Sequence, residues 1–227
     1  MAKCVILFDG MIGVGKTTGM MKIGQMFKEA GFRVLMLSEP IIDFTTLGDF
    51  NPLQCWANSL FTDPNYLYLF QIYVASCLVK RNMGDLINYD VILLDRNIDS
   101  CYMFIDAYTN ILALEKQSCK REIMIHMTNL MKDMDPLPPT MFMYCDCPIP
   151  VALQRIKNRG RLEEEKTSIK LMEEHHKVLD EYFTKCKLPK LKLETEHFDD
   201  FLHIYFGQIL KLMPDETLER YLSITEG

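Results

Sequence analysis

The sequence lacks the marks of several protein classes. No internal repeat, low-complexity tract or linker interrupts its 227 residues, a length that suits a single domain spanning 1–227. No apolar run is long enough to cross a bilayer. The longest, Tyr66 to Val79, is bounded by Asp63, Pro64, Lys80 and Arg81 and reads as a buried core helix. No signal peptide is visible and the first strand begins almost at the N-terminus, so a cytoplasmic chain without membrane attachment is expected. Positive charge is in deficit: 25 Lys and Arg against 31 Asp and Glu leave a net charge of −6, poorly suited to coating nucleic acid. The eight cysteines follow no metal-ligand spacing. Cys145 and Cys147 share one face of a predicted strand, and buried reduced thiols in a reducing compartment are expected. The Asn-Lys-x-Asp motif that specifies guanine is also missing. What remains is 48% hydrophobic, enough for a sizeable core.

One stretch organises that remainder. Gly10, Gly15, Lys16 and Thr17 fit G-x-x-x-x-G-K-[ST], a phosphate-binding loop. Glycines at 10, 13 and 15 clear side chains from a backbone that must wrap a polyphosphate, and they permit positive φ. The helix that follows turns its positive end to the phosphates. Lys16 can reach the terminal phosphates, Thr18 follows at once, and the Thr17 hydroxyl is placed for Mg²⁺. Cys4–Phe8 reads as a buried strand and residues 16–29 as a helix, the strand–loop–helix context that the motif requires.

Strands are expected at 34–37, 91–94, 141–145 and 191–193, and helices at 65–80, 98–113, 120–134, 150–158, 168–186 and 198–212. Residues 41–64 are turn-rich and match no element. The alternation gives an α/β fold, a five-stranded parallel sheet covered by helices on both faces. Polar residues at the carboxyl ends of such strands face the ligand crevice, which points to Glu39 and to Asp95-Arg96-Asn97. An acid ending a hydrophobic strand beside a phosphate loop suits Mg²⁺. Gln71 is a polar residue inside the apolar helix, on one face with Val74, Ala75 and Leu78. A buried amide needs partners. Pattern alone leaves two readings for it, a bond to nearby backbone or a bond to the polar edge of a ligand. Arg155 and Arg159 lie one turn apart, Gly160 can end their helix, and Arg161 is followed by Glu163, Glu164 and Glu165. That run is either a solvated helix end or a clamp on a transferring phosphoryl group.

From about residue 4 to about 201 the chain resembles the deoxynucleoside kinases, which include deoxycytidine, deoxyguanosine, mitochondrial-type thymidine and insect multisubstrate kinases. The glycine loop is similar to the family's E-G-x-I-x-x-G-K-[ST], with Asp9 in place of Glu. Glu39-Pro40 resembles its Glu-Pro, Asp95-Arg96-Asn97 its Glu-Arg-Ser, and Phe70-Gln71-x-Tyr73 its F-Q-x-Y. Residues 155 to 164 match its lid pattern R-x-x-x-R-x-R-x-E-E, with the lid at about 155–167. Phe198 to Phe201 resembles its adenine loop, which puts Asp199 and Phe201 at the donor nucleotide.

The resemblance implies a P-loop kinase fold with an arginine-rich lid, ATP and Mg²⁺ as requirements, a homodimer, and phosphorylation of a deoxynucleoside 5′-hydroxyl in nucleotide salvage. It implies Glu39 as the base, Arg96 at the 5′ end, Arg155, Arg159 and Arg161 on donor phosphates, and Glu164 at the 3′-hydroxyl. It also makes Gln71 a reader of the base edge. The family's base-packing tryptophan falls at Phe44, and the tyrosine that helps hold the 3′-hydroxyl falls at Phe61. The chain is one residue shorter than the pattern before Gln71 and one shorter after Asp95, where an arginine is also missing. Members that take deoxycytidine efficiently, or purines, carry an arginine–aspartate pair at positions that correspond to Leu78 and Cys101 here. Those uncharged residues, with Val74 leaving room for a 5-methyl group, point to thymidine and other pyrimidine deoxynucleosides. Two rivals stay open: a thymidylate-type monophosphate kinase, and a P-loop module that binds nucleotide without catalysis.

Overall fold

A computed structural model describes residues 4–59, 63, 65–84, 86–114, 118–165, 167–215 and 217–219. Five strands run in parallel: β1 (Cys4–Asp9), β2 (Val34–Leu37), β3 (Val91–Asp95), β4 (Met141–Asp146) and β5 (Lys190–Glu194). Their spatial order is β2-β3-β1-β4-β5. The three central strands are buried almost throughout. That explains their continuous apolar runs, since a parallel strand covered on both faces has no solvent side to alternate with. The edge strand β5 carries Lys190 and Lys192 and is largely half-buried or exposed, a composition that discourages edge-to-edge pairing.

Register fixes which residues share the carboxyl edge. Phe8 pairs with Asp95 and Asp9 with Tyr144, so the ends of β1 and β3 bring Asp9, Asp95 and the residue after it side by side. β1 leads through the glycine loop into α1 (Lys16–Glu29). Helix α1 lies so close to the sheet that a Cβ on Gly24 would sit 3.1 Å from the Leu93 side chain.

Two short helices fill the region that showed no sequence pattern, α2 (Ile41–Thr45) and α3 (Pro52–Ser59). At five and eight residues they are too short to display a 3.6-residue period. Helix α3 still had a readable start: Pro52 at its first position, with the Asn51 side chain accepting from Gln54 N at 2.9 Å. Then follow α4 (Asn65–Asn82), α5 (Asp99–Ile111), α6 (Cys119–Met134), α7 (Ile149–Arg159), α8 (Ile169–Lys185) and α9 (Phe198–Leu212). Ser118 and Ser168 cap α6 and α8, and Gly160 ends α7 at φ 66°.

The core is in two parts. One joins the sheet to α1, α8 and α9, with Phe27 edge-on to Phe206 at 4.9 Å and Phe142 packed on Tyr182 at 5.6 Å. The other gathers α3, α4 and α5 around Trp56, Phe70 and Tyr108. Trp56 stacks on Phe70 at 5.3 Å and meets Tyr108 edge-on at 5.4 Å. The space between the two cores opens at the carboxyl edge of the sheet.

Leu93 is fully buried in β3 beneath α1. Leu93→Ala should cost about 3 kcal/mol in urea unfolding, and a loss below about 1 kcal/mol would contradict this packing.

Candidate active site

The glycine loop needs its glycines for specific reasons. Gly13 and Gly15 adopt φ of 77° and 99°, the left-handed region that only glycine enters freely. A Cβ on Gly13 would lie 2.5 Å from the Ala152 carbonyl oxygen, because α7 packs directly beneath. Lys16 is buried, and its Nζ donates to the carbonyls of Met11 at 2.9 Å and Gly10 at 3.3 Å. Burial first, and then the nearby Arg96 charge, push its pKa down.

The Thr17 hydroxyl donates to Asp95 Oδ2 across the loop. The other Asp95 oxygen, Oδ1, is buried and has no hydrogen-bond partner among the described residues. A hydroxyl beside a buried carboxylate with one unused oxygen is a hard oxygen donor set, and it fits Mg²⁺.

Beyond Asp95 the chain turns sharply. Arg96 takes φ 64°, rare for a side-chain-bearing residue. The turn sends its guanidinium back into the protein. Nη1 donates to Asp9 Oδ1 at 2.9 Å and Nη2 to the Gly10 carbonyl at 3.2 Å. Nε stands 3.3 Å from Glu39 Oε1, an ion-pair distance without hydrogen-bond alignment. The Phe104 ring lies under the cation at 4.8 Å. Burial works against this charge, yet Asp9, then Glu39 and Asp95, hold the Arg96 pKa above its ordinary value. Asp9 is fully buried and accepts three bonds, from Arg96, from Gly10 N at 2.7 Å and from Ser100 Oγ at 2.5 Å.

Glu39 follows β2 by two residues and keeps 27% of its side chain exposed. Burial raises its pKa, Arg96 pulls it back, and the like charge of Asp95 raises it again. The net shift is upward, tempered by the side chain's open quarter. Arg81, from the end of α4, ties the two strand ends together. It donates to the carbonyls of Asp95 at 2.7 Å and Arg96 at 2.9 Å, and more distantly to those of Leu37 and Ser38 at 3.4 Å. Burial pushes its pKa down to about 10.

A cavity of about 360 Å³ leads away from Glu39, Arg96 and Lys16, within the range of small-molecule sites. Its walls include Phe44 of α2, Trp56 of α3, Gln71, Val74 and Leu78 of α4, and Cys101 and Tyr108 of α5. Gln71 is 3% exposed, and its Oε1 is buried without a partner among the described residues. The backbone-bonded reading of that oxygen therefore fails. Leu78 and Cys101 are fully buried, and no charge stands at either position. Phe61 lies outside the described residues.

Arg159, Arg161, Glu163 and Glu164 roof the cavity. Glu164 accepts from Arg159 Nε at 3.1 Å and from Arg161 Nη1 at 3.4 Å. Arg155 parts from these two. It donates to the carbonyls of Val14 and Thr195, both at 2.8 Å, and so pins the glycine loop to the segment after β5. Arg155 thus spends these bonds on the protein's own backbone. Arg155 instead lines a second cavity of about 420 Å³, bounded also by Gly13, Gly15, Thr18, Lys22, Phe198 and Asp199. Gly13, Gly15, Thr18 and Arg159 border both spaces. Asp199 there pairs with Lys22. Within the segment 198–201, Phe198 and Asp199 line the second cavity, and Phe201 is 40% exposed and packs on Tyr205 at 6.1 Å.

Sequence reasoning missed Asp9 as an anchor, along with Arg81, Ser100, Trp56 and Tyr108. Asp9 was visible only as a substitution in the loop pattern, since its partner Ser100 is 91 residues away. Asp9→Asn should remove the largest of the negative charges that hold the buried Arg96 and cost about 3 kcal/mol in urea unfolding. A cost under about 1 kcal/mol would mean that the carboxylate does not hold Arg96.

Comparison with known proteins places the chain in a family. Residues 6–209 match the family described as deoxynucleoside kinase. A solved deoxyadenosine kinase from M. mycoides, with products dCMP and a flexible dCDP bound, has a TM-score of 0.70 and 17% identity, covering 92% of this chain and 100% of that one. The same enzyme with bound dCTP has a TM-score of 0.68 and 19% identity, covering 90% and 98%. No curated protein sequence matches the chain.

Proposed function

The chain belongs to the deoxynucleoside kinase family, and on that premise we propose that it transfers the γ-phosphoryl group of ATP to the 5′-hydroxyl of a pyrimidine deoxynucleoside, thymidine foremost. One observation carries the reading. Glu39, Arg96, Lys16 and Gln71 all line a single cavity, and Gln71 Oε1 has no hydrogen-bond partner among the described residues. A nucleoside laid along it presents its alcohol to the acid and its base edge to the amide.

The acceptor oxygen bonds to the γ-phosphorus as the bond from that phosphorus to the β–γ bridging oxygen breaks, and the hydroxyl proton passes to Glu39. The protein supplies alignment and charge rather than covalent chemistry. Lys16, Arg159 and Arg161 neutralise the equatorial oxygens, and Arg96 orients Glu39 and receives the new 5′ phosphate. When bound, Mg²⁺ held by Thr17 and Asp95 would neutralise charge on the donor phosphates. Glu164 meets the sugar 3′-hydroxyl, and the second cavity takes the donor base against Phe198. Gln71 offers an acceptor and a donor to one base edge, with Phe44 and Val74 as apolar walls. Uncharged Leu78 and Cys101 favour a pyrimidine without a demand for an ionic partner. The chain acts as a homodimer of single domains, each with a lid at about 155–167. Ile123, Met127, Leu130 and Met134, exposed at helical spacing along α6, support an apolar pairing face.

Glu39→Gln should cut kcat by about a hundredfold or more, the scale of general-base loss, and near-normal turnover would remove Glu39 from the role. Because its pKa is raised in the free protein, kcat/KM should fall on acidification at a pH above the ordinary glutamate value of about 4.3. Glu39→Gln should erase that limb, and an unchanged profile would contradict the assignment. Initial rates with four deoxynucleosides and thymidine monophosphate should rank thymidine first. A purine far ahead would overturn the base preference, and the monophosphate alone accepting phosphate would establish the monophosphate kinase.

A further inference from the structure

The wall of the acceptor cavity and its roof meet through one side chain. Asn51 precedes α3, and its Oδ1 accepts from Gln54 N at 2.9 Å. Its Nδ2 donates to Glu163 Oε1 at 3.0 Å. The segment that presents Asn51 is itself held, since Leu47 and Phe50 exchange backbone hydrogen bonds at 2.9 and 3.1 Å. Helix α3 sets Leu53, Trp56 and Ala57 against the cavity. The two lid acids are thus tied in different directions: Glu164 to the arginines that roof the site, Glu163 to the helix that walls it. An amide is the side chain that can do both jobs. Aspartate would cap α3 equally well, but it would turn a second carboxylate on Glu163.

We propose that Asn51 is a positioning residue that latches the lid, through Glu163, to the wall of the base pocket. Seating a base against α3 then also seats Arg159 and Arg161 over the phosphoryl group. The inference rests on the kinase reading for its consequences in turnover, and on geometry alone for lid order. Asn51 lines neither cavity.

Asn51→Asp is the decisive variant, because it keeps the helix cap and replaces the donor with a carboxylate that faces Glu163. Glu163→Gln in the same chain returns a donor facing the new carboxylate, with the bond reversed. Asn51→Asp should lower kcat/KM for the deoxynucleoside about tenfold, chiefly through KM. It should also speed amide hydrogen exchange at residues 161–165 while leaving the melting temperature unchanged. Adding Glu163→Gln should restore both readouts to within about threefold of the parent. Asn51→Asp indistinguishable from the parent in exchange and KM would overturn the latch, and so would a loss that Glu163→Gln fails to recover. Should Asn51→Asp not fold, Glu163→Ala tests the same bond from the lid side: faster exchange at residues 54–59 is expected, and unchanged exchange there refutes the latch. A parent protein that phosphorylates no deoxynucleoside would end the kinase reading, while the exchange measurements would still judge the latch.

Discussion

A guanidinium held out of water at the end of β3 sets the geometry of everything near it. Arg96 is 4% exposed, sits in left-handed backbone and points inward. Neither the burial nor the backbone is favourable by itself. Taking a charge from water costs several kcal/mol, and a buried ion pair seldom adds net stability. What the arrangement supplies is position. Asp9, from the neighbouring strand, fixes one edge of the cation, the Gly10 carbonyl fixes another, and Nε is left turned towards Glu39. The glycine loop, the acid after β2 and the acid ending β3 therefore share one origin. Arg81 reinforces it from outside by bonding the backbone of both strand ends.

That origin also arranges the charges of an acidic chain. The net charge is −6, yet Lys16, Arg96, Arg159 and Arg161 all line one cavity with Glu39, Asp95, Glu163 and Glu164. Within that cavity cations and acids are paired, Arg159 and Arg161 with Glu164 and Arg96 Nε with Glu39 at 3.3 Å. A low-dielectric wall of Phe44, Trp56, Phe70 and Tyr108 strengthens both sets of interactions. The raised pKa of Glu39 and the lowered one of Lys16 follow from the same burial.

Much of this was legible in the chain itself. The sheet, the glycine loop and the long helices follow from runs and periods that local physics enforces, and observed bounds such as Lys16–Glu29 and Phe198–Leu212 match the expected ones. The periods of α2 and α3 were not legible, because five and eight residues cannot establish one. Asp9 as an anchor was not legible either, since a fully buried carboxylate is explained only by partners distant in sequence. Arg155 and Arg159 look alike in spacing, but α7 turns one into a pin on Val14 and the other onto Glu164. At the start of α9 the choice between Phe198 and Phe201 depends on which face packs on Gly19, and the structure puts Phe198 there.

The central claim is that one pocket holds an acceptor alcohol against Glu39 and a base edge against Gln71. A crystal structure with thymidine bound tests it directly. The account predicts the 5′-oxygen about 3 Å from the Glu39 carboxylate with the pyrimidine edge on the Gln71 amide. Thymidine seated instead against Phe198 in the second cavity, or with its 5′ end turned away from Glu39, would contradict it.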